Sequence, residues 1–331
     1  MYYLICISLL FTFLFTINLG ASFVSTLVWR LISRPANGWR PRTRSATIFA
    51  LRVAPVVAGF VFILGFVLPA FLIYEPWHSG ETIGNKQMVV IGVCAVGILA
   101  AAFRIFASWW RTRRLVADWV ARSLPIEIAG IDVPAFRLEH EFPVFAVVGV
   151  FRPRLFVCER VLAGLDGAET ASVVQHELGH LDALDNLRRV LMELCGDLLV
   201  LPVGRSLDRG WTEASEVAAD EFAVRDDRAA ALSLASALIK IARLIPDGKL
   251  ASLPSAAFAV QPDSDLLATR IQHLIAISEA EMPIEDGSFT RRQKFAFWGF
   301  AAFSVLAPLA LDSYFLAEVH DISEALLRFL R

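Results

Sequence analysis

Long apolar runs separated by short basic segments dominate the pattern of this chain. Four runs, at about Tyr2–Val28, Ile48–Tyr74, Met88–Trp109 and Phe295–Phe315, reach the roughly 20 residues that a helix needs to cross a bilayer. The first run lacks a basic N-terminal region and is longer than the apolar part of a signal peptide, so we expect it to be retained. The pattern therefore predicts four transmembrane helices.

The stretch between the third and fourth runs has a different pattern, with short alternating segments followed by amphipathic ones. Residues 112–124 predict a helix that leaves the membrane. Residues 126–140 predict short strands, and residues 145–158 a hairpin that turns around Gly149–Pro153. Asp166 and Glu169 form a capping box for a helix that runs to about Asp185. Further helices are expected at about 212–225, 227–245 and 266–277.

These elements predict a mainly α-helical protein, with four transmembrane helices and one α+β domain. The expected organisation is transmembrane helix 1 at 1–29, an Arg-rich cytoplasmic loop at 30–46, transmembrane helix 2 at 47–74, an external loop at 75–87, transmembrane helix 3 at 88–109, a cytoplasmic domain at 110–294, transmembrane helix 4 at 295–316 and a short external amphipathic tail at 317–331.

Composition agrees with a membrane protein. Hydrophobic residues make up 56% of the chain, charged residues 19%, and the mean hydropathy is +0.57. The net charge of −2 gives no case for a nucleic-acid partner. The four cysteines are scattered singly, so neither a thiolate metal site nor a disulfide framework is indicated.

The arginines predict the orientation, because cytoplasmic loops carry an excess of Lys and Arg. Five arginines lie in 30–44, three in 111–114, and a basic cluster at 291–294 precedes the fourth run, whereas residues 75–86 are acidic on balance. Nucleic-acid binding by the first cluster is the alternative, but the flanking spans favour topology. We expect both termini outside, the 110–294 domain in the cytoplasm, and the lipid bilayer as a partner.

The candidate chemistry lies in the segment VVQHELGHLDALDN, residues 173–186. His176 and His180 are four residues apart, so a helix presents both imidazoles on one face, where they can bind one ion. Zinc is the expected ion, one per chain, because it accepts nitrogen and carboxylate ligands. Glu177 is placed to act as general base towards the attacking water. A solvated helix with two chance histidines is the plain alternative.

A catalytic zinc site needs a third protein ligand, and the segment TEASEVAADEFAV supplies candidates. Glu216 and Asp220 are again four residues apart on a predicted helix. One carboxylate can bind the metal, and the other can accept a hydrogen bond from a histidine ligand. Glu213 is a rival ligand, but no acid lies four residues after it.

With both segments in view, the chain resembles the gluzincin pattern HExxH…ExxxD. VGVFRPRLFVCERVL and AETASVVQHELGH are similar to metallopeptidase family M56 (BlaR/MecR type) over about residues 85–315. The resemblance implies that His176, His180 and Glu216 bind zinc, that Glu177 is the general base, and that Asp220 lies behind the ligands. Asp185 also matches an acidic position of the family. It further implies a multi-pass protein of the bacterial inner (cytoplasmic) membrane.

Two features depart from family M56. Ala183 stands where the family often has a basic residue. The sensor-transducers of the family carry a large extracellular penicillin-binding domain after the last span, whereas about 14 residues follow the last predicted span here. We therefore do not expect direct β-lactam sensing. Family M48 (HtpX-like) shares the zinc pattern and is a close alternative.

The apolar segment 187–203 resembles a fifth span, but it lies between two expected ligands of one ion, His180 and Glu216. A single crossing would place them on opposite faces of the membrane, and Glu193 and Asp197 would be costly at its centre. We expect a core helix in preference to a segment that dips into the membrane surface.

Weaker candidates complete the set. Residues 144–151 could bind an extended substrate along a strand edge, or form an ordinary core hairpin. Arg270, which resembles an arginine of related peptidases, and His273 could stabilise the oxyanion, although a surface role on a helix is the plainer interpretation. His78, His140 and His320 have no partner at ligand spacing and are assigned no role.

The sequence therefore favours an integral-membrane zinc metalloendopeptidase that hydrolyses a protein or peptide substrate at the cytoplasmic side of the membrane. By resemblance, the substrate is a transcriptional repressor, an anti-regulator or a damaged membrane protein. The alternative is a non-proteolytic membrane adaptor with a structural zinc site. A transporter is poorly supported, because no acidic residue lies in the middle of any predicted span.

Overall fold

The computed structural model describes most of the chain as helices around one small sheet. The described residues are 2–36, 38–75, 84–197, 204–225, 227–245, 264–279 and 313–330. Most of the predicted fourth span, 295–316, lies outside them, as does His78.

Three long helices account for the first three apolar runs. They are α1 at Tyr2–Ala36, then α2 at Pro41–Phe62 continuing through a π-helical segment at Ile63–Val67 into α3 at Leu68–Tyr74, and finally α4 at Asn85–Arg122. Within the described residues, three helical stretches are long and apolar enough to cross a membrane: Tyr3–Ala36, Pro41–Tyr74 and Ile91–Arg122. These helices suggest that the protein associates with a membrane.

The predicted Arg-rich loop at 30–46 is mostly helical, so that prediction was wrong in its bounds. α1 extends to Ala36 and α2 begins at Pro41, which leaves a short connection. Arginine is a good helix former, and proline is well tolerated in the first turn of a helix. The predicted helix at 112–124 is likewise continuous with the third apolar run in α4.

A four-stranded mixed sheet follows α4. Its strands are β1 at Leu124–Ile126, β2 at Ala135–Leu138, β3 at Phe145–Val148 and β4 at Arg154–Cys158, in the order β1-β2-β4-β3. The predicted hairpin is confirmed, since β3 and β4 pair antiparallel. β3 lies at the edge of the sheet, but all four of its residues are buried, which explains why its sequence is almost continuously apolar.

In the part of the domain that the structure describes, six helices surround this sheet: α5 at Glu159–Gly164, α6 at Gly167–Asp182, α7 at Asp185–Asp197, α8 at Arg205–Val224, α9 at Ala229–Arg243 and α10 at Ser264–Glu279. The predicted capping box is confirmed at the start of α6. α6 ends at Asp182, three residues earlier than predicted, because Leu184 adopts a left-handed conformation with φ 55°.

The segment 187–203 contributes its first part to α7, and residues 198–203 lie outside the described chain. Its two flanks meet at one side chain of α2. A Cβ atom on Gly196 would lie 2.6 Å from Arg52 Nη2, and one on Gly204 would lie 3.0 Å from Arg52 Nη1. Both flanks of the segment therefore lie beside the same guanidinium.

α7 and α8 pack against α1 and α2 as well as against the rest of the domain. Trp211 of α8 and Met192 of α7 share a buried cluster with Trp29 of α1 and Ile48 of α2. Arg52 Nε donates to Asp208 Oδ1 over 2.7 Å at the start of α8. The helix that carries Glu216 is therefore fixed directly to α2.

The predicted amphipathic tail forms the final helix, α11, at Ser313–Leu330. Val319 packs with Leu14 and Val67, and Leu326 packs against Ile5 and Leu9. The tail therefore contacts α1 and the π-helical segment.

Candidate metal centre

Two histidines of α6 form the base of the candidate site. The capping box fixes the start of α6, and the spacing of four residues places both rings on one face. The rings of His176 and His180 lie edge to face, with centroids 4.7 Å apart. Their Nε2 atoms face each other at 3.2 Å.

α8 supplies the third group, because it crosses α6 unusually closely. A Cβ atom on Gly179 would lie 3.1 Å from Ala219 Cα and from Phe222 Cβ, so the glycine of HELGH permits the approach. Glu216 then places Oε2 3.7 Å from His176 Nε2 and Oε1 3.8 Å from His180 Nε2. Each of the three residues is at most 8% exposed.

This buried group can hold a metal ion. Two nitrogens bound to one tetrahedral zinc ion lie about 3.3 Å apart, given bonds of about 2.0–2.1 Å. The observed 3.2 Å between the two Nε2 atoms agrees with that value. The Glu216 oxygens lie slightly farther away, within the reach of a small rotation of the side chain.

Two aspartates lie behind the histidines, each with one oxygen beside a ring Nδ1 atom. His180 Nδ1 lies 2.9 Å from Asp185 Oδ2, and His176 Nδ1 lies 2.9 Å from Asp220 Oδ1. A carboxylate at Nδ1 favours a proton there, which leaves the Nε2 lone pair free for a metal. The structure thus places both predicted aspartates beside the histidines.

Arg270 of α10 binds the acidic residues of α8. Its Nε and Nη2 each donate to Asp220 over 2.7 Å, and its Nη1 lies 2.8 Å from Glu216 Oε2. Burial alone would raise the pKa of Asp220, but the charge of Arg270 outweighs it and holds that pKa well below its usual range. Because three guanidinium nitrogens already contact carboxylates, the geometry favours an orienting role over an oxyanion role.

Glu177 points from α6 towards the edge of the sheet. Its Oε2 accepts a hydrogen bond from the Val147 N–H of β3 over 2.9 Å. Burial raises the pKa of Glu177 above its ordinary value.

The outer edge of β3 is already partly occupied. Cys158 N–H donates to the Val144 carbonyl, so the backbone polar groups of residue 144 face β4. Because this direction alternates along a strand, the backbone N–H and C=O groups of residues 145, 147 and 149 point away from β4. Asn186 Nδ2 donates to the carbonyls of Val147 and Gly149 over 3.0 and 3.1 Å. Substrate pairing along 144–151 therefore requires displacement of these contacts or is confined to the region of Phe145.

Sequence reasoning missed Asn186, although it directly follows the predicted Asp185. Its contacts join residues almost 40 positions apart, and no local spacing signals them. Leu184 was also missed, although its left-handed backbone makes the turn that returns Asp185 to His180.

The structure places the other candidates elsewhere. Glu213, the rival ligand, pairs with Arg209 over 3.2 Å. His273 lies 3.2 Å from Glu221, whose hydrogen bond raises the pKa of His273. His140 contacts Phe142 through Nδ1 and the Trp119 ring.

The statement that His320 lacks a partner at ligand spacing was wrong. Glu324 lies four residues later on α11, and the two side chains come close to Glu75 at the end of α3. These three residues form a second group whose ligand atoms all lie within 4.8 Å of one another.

Comparison with known proteins leaves the site to be interpreted from its own geometry. The chain matches no family model and no curated protein sequence.

Proposed function

We propose that this protein is a membrane-anchored zinc-dependent endopeptidase. The observation that carries the proposal is the buried carboxylate of Glu177, held beside the group formed by His176, His180 and Glu216. A metal site with a purely structural role has no need of such an acid on its rim. The resemblance to the gluzincin pattern and to family M56 supports the same activity.

His176, His180 and Glu216 are the residues that would hold the ion. Two imidazole nitrogens and a carboxylate are a usual donor set for catalytic zinc. Zinc bound there supplies Lewis-acid polarisation of the scissile carbonyl and lowers the pKa of the attacking water.

The side chains of this protein perform the proton transfers. Glu177 accepts the proton of the attacking water and then delivers it to the departing amine. The Val147 N–H fixes one oxygen of Glu177, so the other oxygen is available to the water. Asp185 and Asp220 hold the histidine rings, and Arg270 holds Asp220 and Glu216 in turn.

We propose that the reaction takes place at the cytoplasmic face of the bacterial inner membrane. The arginine distribution supports this orientation. The contact between α8 and α2 supports a site close to the membrane. The resemblance to family M56 adds a substrate class, namely a regulatory protein or a damaged membrane protein that is cleaved near that surface.

The deciding experiment compares wild type with Glu177→Gln. We expect equal zinc content in the purified chains, and loss of newly formed protein N-termini in cells that express the variant. Glu213→Gln is the matched control, because Glu213 lies on α8 in a half-exposed ion pair with Arg209. It should retain both zinc and cleavage.

Identical N-termini in the wild-type and Glu177→Gln strains would overturn the peptidase. Retention of zinc in that case would favour the non-proteolytic adaptor, whereas absence of zinc from the wild type would overturn the metal site itself.

A further inference from the structure

A small cavity lies behind the candidate metal centre, between α2, α6, α7 and α8, and both apolar and polar side chains line it. Its volume is about 30 Å³, and its lining includes Arg42, Ser45, Asp182, Asp185 and Arg188. That volume is sufficient for a water molecule, provided that polar partners surround it.

Two buried oxygens in the cavity wall have no hydrogen-bond partner among the described residues. They are Ser45 Oγ, from α2, and Asp185 Oδ1, from α7, and each residue is 2% exposed. The other oxygen of Asp185 contacts His180 Nδ1. Arg188 Nη1 is 3.6 Å from Asp185 Oδ1, which is too long for a hydrogen bond. Buried polar atoms of this kind are normally satisfied by protein or by ordered water.

The charges around the cavity favour a neutral ligand over an ion. Arg42 and Arg188 are matched by Asp182 and Asp185, and Arg42 Nη2 donates to Asp182 Oδ2 over 3.0 Å. A water molecule can donate to Asp185 Oδ1 and also bond Ser45 Oγ, which leaves the local charge balance unchanged.

We propose that this cavity is a buried water site, and that Ser45 is a positioning residue for the metal centre. The water joins Ser45 to Asp185, and Asp185 orients His180. The inference rests on the zinc site of the proposed function, but it does not depend on peptidase activity.

Ser45 lies on the face of α2 that also contacts α6 and α8. Arg42, Ser45 and Arg52 follow one another at spacings of three and seven residues, so they lie on one face of α2. Arg42 contacts Asp182 of α6, and Arg52 contacts Asp208 of α8. The face of α2 that contacts the domain therefore supports the histidine helix and the Glu216 helix together, and a displacement of α2 should alter zinc affinity.

The test measures zinc affinity of the purified full-length chain by competition with a chelator. Ser45→Ala removes the hydroxyl and should weaken zinc binding by about three- to tenfold, less than the about 10- to 100-fold typical of a direct partner of a ligand. Ser45→Thr keeps the hydroxyl and should bind zinc nearly as well as wild type. Ser33→Ala is the matched control, because the Ser33 hydroxyl donates to the Arg30 carbonyl of the same helix, α1.

A double-mutant cycle shows whether Ser45 acts through Asp185. In an Asp185→Ala background, which leaves the water no side-chain partner at residue 185, Ser45→Ala should weaken zinc binding much less than it does in the wild type. Equal zinc affinity of Ser45→Ala, Ser33→Ala and wild type overturns the inference, and so do fully additive effects in the cycle. If wild type binds zinc but cleaves nothing, the peptidase proposal fails while these affinities still decide the role of Ser45.

Discussion

At the scale of single residues, Asp220 has the most consequential contacts. It lies beside a candidate ligand, His176, and also neutralises the buried Arg270. We expect Asp220→Ala to weaken zinc binding about 10- to 100-fold, because the ring of His176 loses its partner. The same change should lower the free energy of unfolding by about 3–5 kcal/mol, because it leaves a buried guanidinium with one partner fewer.

Chelator competition and thermal unfolding of the Asp220→Ala chain test both effects. Glu213→Gln serves as the control on the same helix, since its half-exposed ion pair contributes about 0–1 kcal/mol. Unchanged zinc affinity in Asp220→Ala would remove Asp220 from the metal centre.

The backbone conformation of Leu184 places Asp185 beside His180. Its φ of 55° is unfavourable for an L-residue by about 1–2 kcal/mol, yet it turns the chain so that Asp185 meets His180. Leu184→Gly should therefore leave the free energy of unfolding unchanged or raise it by about 1 kcal/mol. Denaturant unfolding measures this change.

The neighbouring Ala183→Gly provides the comparison for Leu184. Ala183 has an ordinary right-handed conformation with φ −77°, so glycine there should lower the free energy of unfolding by about 0.5–1 kcal/mol. If both glycine variants were destabilised equally, the strain at Leu184 would be ruled out.

At the scale of elements, the start of α6 depends on Glu169. Its carboxylate accepts hydrogen bonds from Asp166 N–H, Ser236 Oγ and Lys240 Nζ at 2.9, 2.6 and 2.7 Å. Burial alone would raise the pKa of Glu169, but these hydrogen bonds and the charge of Lys240 outweigh it and lower that pKa below 4.5. The unfolded chain therefore binds the proton more tightly than the folded chain does.

It follows that Glu169 stabilises the fold above about pH 4.5 and loses this contribution as the pH falls through its lowered pKa. Glu169→Gln should lower the free energy of unfolding by about 1–3 kcal/mol at pH 7, with a smaller difference from wild type below pH 4. Urea unfolding at both pH values measures the difference.

Glu159→Gln is the control, because its half-exposed carboxylate lies 3.5 Å from Arg137, and it should show little effect. A loss of stability in Glu169→Gln that did not depend on pH would contradict the link between protonation of Glu169 and folding.

Some elements of the fold could be predicted from the local sequence pattern, and others could not. The capping box at Asp166 and the hairpin of β3 and β4 were predicted from residues a few positions apart, because their hydrogen bonds are local. The loop at 30–46 was predicted wrongly, because charge patterning reports topology and does not prevent arginines from continuing a helix. The burial of β3 on both sides depends on helices distant in sequence.

At the scale of the whole molecule, the two flanks of the apolar segment at 198–203 meet at Arg52. We therefore predict that single cysteines at Glu193 and Arg205, both exposed, react with a membrane-impermeant reagent from the same side of the membrane. With the proposed orientation, both react only after the cytoplasmic face is opened. Labelling of one position from each side would contradict the fold.

The sequence alone determined the parts of this protein that depend on local spacing and composition. It predicted membrane-length helices from apolar runs, and a metal-binding face from His176 and His180, because helical periodicity relates residues four positions apart. It also selected Glu216 over Glu213 as the third ligand. Only the tertiary structure decided that Arg270 binds Asp220, that Asn186 covers the edge of β3, and that Arg52 of α2 binds Asp208 at the start of α8. Those contacts join residues 37 to 156 positions apart, and they follow from how the helices pack, which no short stretch of sequence specifies.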